Sequence, residues 1–398
     1  MNMRRARSAL AVLAGLTLIA VACGKNTPAT SSGSKLPTKV GAGEGQLNLI
    51  AWPGYVESGQ NSPTSDWVTP FEQQTGCKVN VKYGNTSDEM VNLMRQGGGT
   101  QYDGVSASGD ATNRLIAHGD VAEVNTKLIP SFSQMMPSLQ SPPHNTVDGK
   151  HYGVPYMWGP NFLMYNTDVV KTPPTSWADT WETSSPYSGK VTAYDSAIFI
   201  ADAALYLKAH QPSLGITDVY ELTAPQLDAA VNLLKQQAPM IKKYWSVYTD
   251  EITGFESGDM VIGTAWPVNL ATILADKKVP AAAVIPSEGV TGWADTWMMS
   301  AHARHPNCMY KWMQWTSTPD VQTQVAEYYG ATPSNAQSCT KLREDLGDVA
   351  DSVYHCGDDA FLKGIALWKT PLSVCDNGKN ECMDYSIWTE KWTEIRGA

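Results

Sequence analysis

Short apolar runs alternate along the chain with stretches whose apolar residues recur every three or four positions. Leu47-Asn-Leu-Ile-Ala-Trp52 predicts a strand, residues 67–74 a helix closed by Gly76, and Lys78-Val-Asn-Val-Lys-Tyr83 the next strand. Residues 87–96 predict a helix, with Ser87 and Asp88 as cap candidates and Gly97-Gly98-Gly99 as its stop. Asp103-Gly-Val-Ser-Ala is a third strand. Such a βαβαβ order implies a mainly parallel sheet, with ligands at the carboxyl ends of the strands. The grammar restarts at 189–195 with a strand, then helices over 197–209 and 224–237 and strands over 260–265 and 282–285. Two α/β lobes follow, with His151-Tyr-Gly-Val-Pro-Tyr156 as the expected crossover.

The first 46 residues have a different character. Arg4, Arg5 and Arg7 precede an apolar run from Ala9 to Ala22, the layout of a secretory signal and short for a membrane span. Ala20-Val21-Ala22-Cys23 resembles a bacterial lipobox, with Ala20 where Leu is usual, and makes Cys23 the expected lipidation site. Residues 24–46 are rich in Ser, Thr, Gly, Pro and Lys and cannot bury enough surface to fold, so they read as a tether. The expected location is the outer face of the cell membrane or the periplasm.

Composition narrows the class. Of 398 residues 42% are hydrophobic, enough for a large core, and 17% are charged. A net charge of −10 argues against nucleic acid, whose binding needs basic residues against phosphates, and is compatible with a cationic ligand. Fourteen Trp and 17 Tyr against six Phe mean that most aromatics carry a polar handle. Apart from Cys23, six cysteines remain, an even number that suggests three disulfides in an exported chain. Spacing favours Cys375–Cys382 and Cys339–Cys356, which leaves Cys77 with Cys308. No Cys or His cluster has metal-ligand spacing, and no cofactor is expected.

An ordered set of segments carries a resemblance. IAWPGYVESG, FEQQTGCKVNV, YDGVSASGD, YGVPYMWG, GKVTAYDS, FESGDMVIGTAW, VIPSEGVTGWAD and YYGATPSN, spread over residues 47–337, resemble the spermidine/putrescine-binding proteins of bacterial ABC importers. The resemblance implies an α/β, two-lobed periplasmic-binding-protein fold with crossover strands, closing on a small cationic solute for delivery to a membrane permease. It also implies a monomer without enzymatic activity. The expected division is lobe 1 over 47–153 plus 291–335, lobe 2 over 154–290, and a disulfide-bearing segment over 336–398.

Carried over residue by residue, the resemblance implies that Trp52 and Tyr55 wall the ligand and that Ser108 and Asp110 supply polar contacts. Trp266 and Trp293 would stack on the alkyl chain, and Asp295 would pair with an amine. Methylenes on aromatic faces, cation–π contact and a carboxylate partner suit an organic cation. Two departures stand out. Asp110 occupies the place of a Tyr in the spermidine binders, and the acidic pair that follows Asp195 there is replaced by Ser196 and Phe199. Asp110, Asp195 or Glu57 must then take over the second amine, or the ligand has a single cation.

Other classes find less support. Ser32-Gly-Ser-Lys35 matches S-x-x-K but lies in the tether without a following K-T-G. His302-Ala-Arg-His305 reads as a surface turn before Pro306, and Tyr328-Tyr329 as packing in a helix over 321–329. WADTW occurs twice. At 177–181, after Ser176, it reads as a capping box with Asp179, whereas at 293–297 it reads as strand. Thiamine, ferric ion or an amino-acid derivative on the same fold, or a surface lipoprotein without a transport role, are the alternatives.

Overall fold

The computed structural model describes residues 36–397, so the signal, lipobox and most of the tether lie outside the described residues. Strands β1 (Gln46–Ala51), β2 (Lys78–Tyr83) and β3 (Gly104–Ala107) pair in parallel with β1 in the middle. The helices between them are α1 (Val68–Thr75) and α2 (Ser87–Arg95), and α3 (Gly109–His118) follows β3. Thr86, not Ser87, caps α2: its hydroxyl accepts the Glu89 N–H at 3.1 Å. Gly76 ends α1 in the left-handed conformation, at φ 70°.

Strand β4 (Val154–Pro160) joins this sheet, and the chain crosses at Asn161 into β5 (Phe162–Asn166) of a second sheet. There follow β6 (Val191–Tyr194), α4 (Ile200–His210), α5 (Ala224–Gln237), β7 (Ile241–Trp245), α6 (Tyr248–Ser257), β8 (Ile262–Ala265), α7 (Pro267–Asp276) and β9 (Ala281–Val284). The chain returns through β10 (Thr291–Met299), α8 (Pro306–Thr316), α9 (Pro319–Tyr329) and β11 (Thr332–Pro333). A C-terminal stretch adds α10 (Ser338–Leu346), β12 (Ala366–Leu367) and α11 (Tyr385–Arg396).

The first sheet has seven strands in the order β11-β4-β10-β3-β1-β2, with β12 beside β10. The second has five, ordered β9-β5-β8-β6-β7. β4 is antiparallel to β10 along most of its length, which places residues 154–160 in the first sheet. The crossover therefore falls beyond the expected boundary after residue 153 and beyond the 151–156 stretch. Val154–Pro160 is buried throughout, and such an unbroken apolar run carries no alternation to assign it to a lobe.

A buried polar chain clasps the two crossovers. Asn161 Nδ2 donates to Thr291 Oγ1 at 2.6 Å, Thr291 Oγ1 donates to Asp202 Oδ1 at 2.9 Å, and the Tyr194 hydroxyl donates to the other oxygen of Asp202. Each donor has an acceptor, as a water-free interior requires.

The Ser176–Asp179 box does not form. Ser176 Oγ accepts the Ala178 N–H at 3.1 Å, but the carboxylate that it meets belongs to Glu288. A distant acid with a free approach displaced the local one.

The disulfides are Cys77–Cys308, Cys339–Cys356 and Cys375–Cys382, the three pairs that spacing favoured. Cys77–Cys308 closes a loop of 231 residues and ties the start of β2 to α8. Chain-entropy arguments give a loop of this size about 5.5 kcal/mol, and the short Cys375–Cys382 loop less. Replacing Cys77 and Cys308 together by Ser should lower unfolding free energy by about 2–5 kcal/mol, read by urea denaturation. A smaller loss than for the Cys375/Cys382 double variant would contradict this ranking.

Candidate functional site

Both sheets end on one cleft. The first sheet's side supplies Trp52, Ser87, Ser108, Asp110, Trp293 and Asp295, and the second supplies Tyr194, Asp195, Ser196, Trp245 and Trp266. Tyr329 and Trp368 complete the wall. Of the expected residues, Trp52, Ser108, Asp110, Asp195, Trp266, Trp293 and Asp295 all meet here. Tyr55 stands behind Asp295 and off the cleft surface, and Glu57 lies on another face, bonded by Asn61.

Asp295 sits where β10 and β4 slip register, between Ala294 and Thr296. A bulge of this kind re-aims a side chain without ending the strand. Trp293, two residues earlier, shares its face of the strand. Its indole lies flat against Gly159, where a Cβ would approach Trp293 Cζ2 to 2.8 Å. Ser108 N-caps α3, and Asp110 lies in that helix's first turn.

Asp295 is 3% exposed and receives two hydroxyls, Tyr55 at 2.6 Å on Oδ2 and Ser108 on Oδ1. Burial raises its pKa to about 7, although both hydroxyls favour the ionised form. Asp110 is raised to about 6, again by burial. It accepts Ser87 Oγ at 2.8 Å, and its second oxygen is buried without a partner among the described residues. Asp195 differs in kind. Trp392 Nε1 donates to its Oδ1 at 2.9 Å, and Arg396 Nε lies 3.2 Å from the same oxygen.

The aromatic wall is continuous. Trp266 meets Trp245 edge to face at 4.6 Å between centroids and faces Trp293 at 6.5 Å. Tyr194 lies 5.4 Å from Trp368, and Tyr55 packs edge-on against Tyr329 at 4.8 Å. Trp266 is held by Asn269, whose Oδ1 accepts the Trp266 N–H at 3.0 Å. The arrangement can wrap apolar methylenes and hold a positive charge against a carboxylate.

Sequence reading did not find Trp245, Trp368 or Trp392, and it assigned Tyr329 to packing. Tyr329 was readable only as a helix end, yet Gly330 turns the chain there and leaves the ring on the cleft. Trp368 and α11 come from the C-terminal stretch, where the resemblance was weakest. Gly109, just after the Ser108 cap, has no room for a Cβ, because the Trp368 carbonyl oxygen would lie 1.8 Å from it, a contact between distant segments that the sequence does not signal. His302 lies in an exposed turn, while His305 Nδ1 rests 2.8 Å from Asp103 Oδ2 at the start of α8.

A two-sheet fold with chain crossings and a cleft between the sheets defines a solute-binding protein. The chain belongs to the bacterial extracellular solute-binding proteins, whose family model matches residues 66–342. It is 26% identical over 303 residues to the spermidine/putrescine-binding periplasmic protein of Escherichia coli, covering 76% of this chain and 81% of that protein. Among solved structures it resembles an ABC transporter protein of Listeria monocytogenes, with TM-score 0.71 and 19% identity, covering 88% of this chain and 99% of the other. It also resembles the Tp0655 lipoprotein of Treponema pallidum, with TM-score 0.66 and 17% identity over 89% of this chain and all of that one (100%). These neighbours confirm the two-lobed fold.

The raised carboxyl groups predict a pH dependence. Asp110, Asp202 and Asp295 are raised by burial to about 6, 7 and 7, from about 4 in an unfolded chain. Their contribution to stability is complete below about pH 4 and is lost as pH rises through 6 to 7. Without ligand, the melting temperature should therefore fall from pH 5 to pH 7.5, and Asp295→Asn should flatten that fall. A melting temperature that climbs over this interval would contradict the burial of these groups.

Proposed function

We propose that the protein is the substrate-binding component of an ABC importer that captures a polyamine or similar cationic amine between its two lobes. The observation that carries this reading is Asp295. It is a buried carboxylate with only hydroxyl partners among the described residues, set under Trp293 and Trp266 in a cleft between two sheets. Leaving such a group without a cation is costly, so an ammonium at this place gains a charge-assisted bond and cation–π contact. The E. coli relative's name, a spermidine/putrescine-binding protein, agrees with an amine solute.

Trp52, Trp266 and Trp293 cover the alkyl part, Asp295 pairs with the ammonium, and Ser108 and Tyr55 hold the carboxylate in place. A ligand that touches both sheets favours the closed arrangement, which a membrane permease would recognise. The lipobox at Ala20–Cys23, followed by a Ser/Thr/Gly-rich stretch, supports a lipid anchor at the outer face of the membrane. Cys23→Ala should then release the protein to the medium as unprocessed precursor; full membrane retention of the variant would overturn the anchor.

The amine reading is tested by titration calorimetry with putrescine, spermidine and monoamines. Charge-assisted hydrogen bonds contribute about 1.5–3 kcal/mol. Asp295→Asn should accordingly weaken whichever amine binds by roughly ten- to a hundredfold, at about 1.4 kcal/mol per decade. Trp293→Ala should also weaken it, with a smaller loss of ligand-free melting temperature than the same change at the fully buried Trp297. Equal affinities in wild type and Asp295→Asn would remove Asp295 from the site and the ligand class with it.

A further inference from the structure

Three carboxylates border the cleft, and their charges are not equally available. Asp195 is engaged by α11: Trp392 Nε1 and Arg396 Nε both reach its Oδ1, at 2.9 and 3.2 Å. Arg396 is itself fixed, with its guanidinium carbon 4.3 Å from the centre of the Tyr244 ring. Asp110 shares α3 with Arg114, one turn on, which pairs with Asp88 at 2.6 Å and lies over the Tyr385 ring of α11 at 4.1 Å. Arg114 lowers the cost of the Asp110 charge through space. Asp295 is met by hydroxyls alone. Arg396 thus answers Asp195 directly, whereas Arg114 is paired with Asp88 and leaves one oxygen of Asp110 without a partner among the described residues.

Both walls of the cleft also carry donors. The indole N–H groups of Trp52, Trp245, Trp266, Trp293 and Trp368 are buried without a hydrogen-bond partner among the described residues. All five residues line the cleft. Trp245 and Trp266 stand on the second sheet's side, where helix α7 also begins and presents its partial positive charge. A protonated diamine brings donors at both ends and has no acceptor to offer. A second ammonium on this side would meet donors, a helix N-terminus and an acid already paired with arginine.

We propose that the solute carries one cationic end, held at Asp295, and a hydrogen-bond acceptor at its other end, facing the indole donors, and that Trp392 and Arg396 set this preference by engaging Asp195. The inference rests on the amine reading of the cleft and narrows it from polyamines to amino compounds with one ammonium and a carboxylate or carbonyl. Trp392 and Arg396 are positioning residues: they act on the solute through Asp195. A second ammonium on the second sheet's side would need Asp195 free.

The test compares four-carbon probes of equal reach: putrescine, butylamine, 4-aminobutyrate and 4-aminobutanamide, titrated into the intact protein by calorimetry at pH 8. At least one of the two acceptor-bearing probes should bind tenfold or more tightly than putrescine, with butylamine weaker than that probe. Arg396→Gln frees Asp195 and should raise putrescine affinity about tenfold while leaving the acceptor-bearing probe within threefold. Trp392→Phe, which keeps the ring and removes the donor, should shift selectivity in the same direction. Melting curves of both variants show whether α11 stays docked. Putrescine binding as tightly as both acceptor-bearing probes overturns the inference and leaves the amine reading intact. Heat from none of the four, with none from spermidine, overturns both. A wild-type preference unchanged in Arg396→Gln and Trp392→Phe removes α11 from the account of specificity.

Discussion

A carboxylate withdrawn from water at the foot of an aromatic cleft is the constraint from which much of this structure follows. Asp295 is out of solvent, on a strand of the first sheet, with no basic side chain among its hydrogen-bond partners. Such a group must be neutralised by a proton or satisfied by a cation. The surrounding residues are arranged for the second outcome. Tyr55 and Ser108 reach it from two separate loops and fix both oxygens, so its orientation does not await the ligand. The bulge that aims it and the indole flattened over Gly159 belong to the same strand pair. Burial raises the carboxyl group's pKa to about 7, a cost that a cation placed beside it would offset.

The same constraint explains the work of the C-terminal stretch. Residues 366–370 run beside β10, and the Thr370 hydroxyl donates to the Asp110 carbonyl at 2.8 Å on the first sheet's side. The next side chain back, Lys369, meets Asp218 and Glu221 of the second lobe at 2.9 and 2.5 Å. Asp218, Glu221 and Asp376 form an acidic cluster, but the Lys369 ammonium lies among them and supplies the positive charge that a metal would. Beyond the Cys375–Cys382 loop, α11 docks on the second lobe through Trp392 against Phe199 and Tyr244. The tail therefore touches both walls of the cleft. It trims charge on one side at Asp195 and adds an indole on the other at Trp368.

What the chain reveals on inspection follows the range of the interactions involved. The strands and helices of the first βαβαβ unit were legible because alternation, caps and stop glycines are local. The disulfide pairs were legible because two of them close short loops and the third is then fixed. The first crossover was misplaced because residues 154–160 are buried on both faces and read the same in either lobe. Ser176 was recognised as a capping residue, but its carboxylate partner, Glu288, lies more than a hundred residues away. The Trp293 and Asp295 pair was found through resemblance alone; no spacing rule distinguishes this WADTW from the one at 177–181. Asp195 was visible as an acid, whereas the guanidinium that engages it lies at the far end of the chain. Charge availability at a site is a property of tertiary contacts, and a single sequence does not disclose it.

Motion between the lobes involves the two crossovers as well as the C-terminal stretch, and the side chains at the crossovers are not neutral to the ligand. Asn161 and Thr291, one from each crossover, are linked to each other and then to Asp202 of α4. Asp202 is buried and takes its remaining hydrogen bond from Tyr194, whose ring lines the cleft beside Trp266. A solute packed on Tyr194 therefore presses on a residue whose hydroxyl is tied to the crossover cluster. Asn161 Nδ2, Thr291 Oγ1, the Tyr194 hydroxyl and both Asp202 oxygens are paired in the arrangement seen, so opening the cleft must either carry these bonds along as a unit or break them. The first costs less. The clasp accordingly favours a rigid swing about the crossovers over local yielding, and the ligand's contribution is to hold together two walls that already move as bodies.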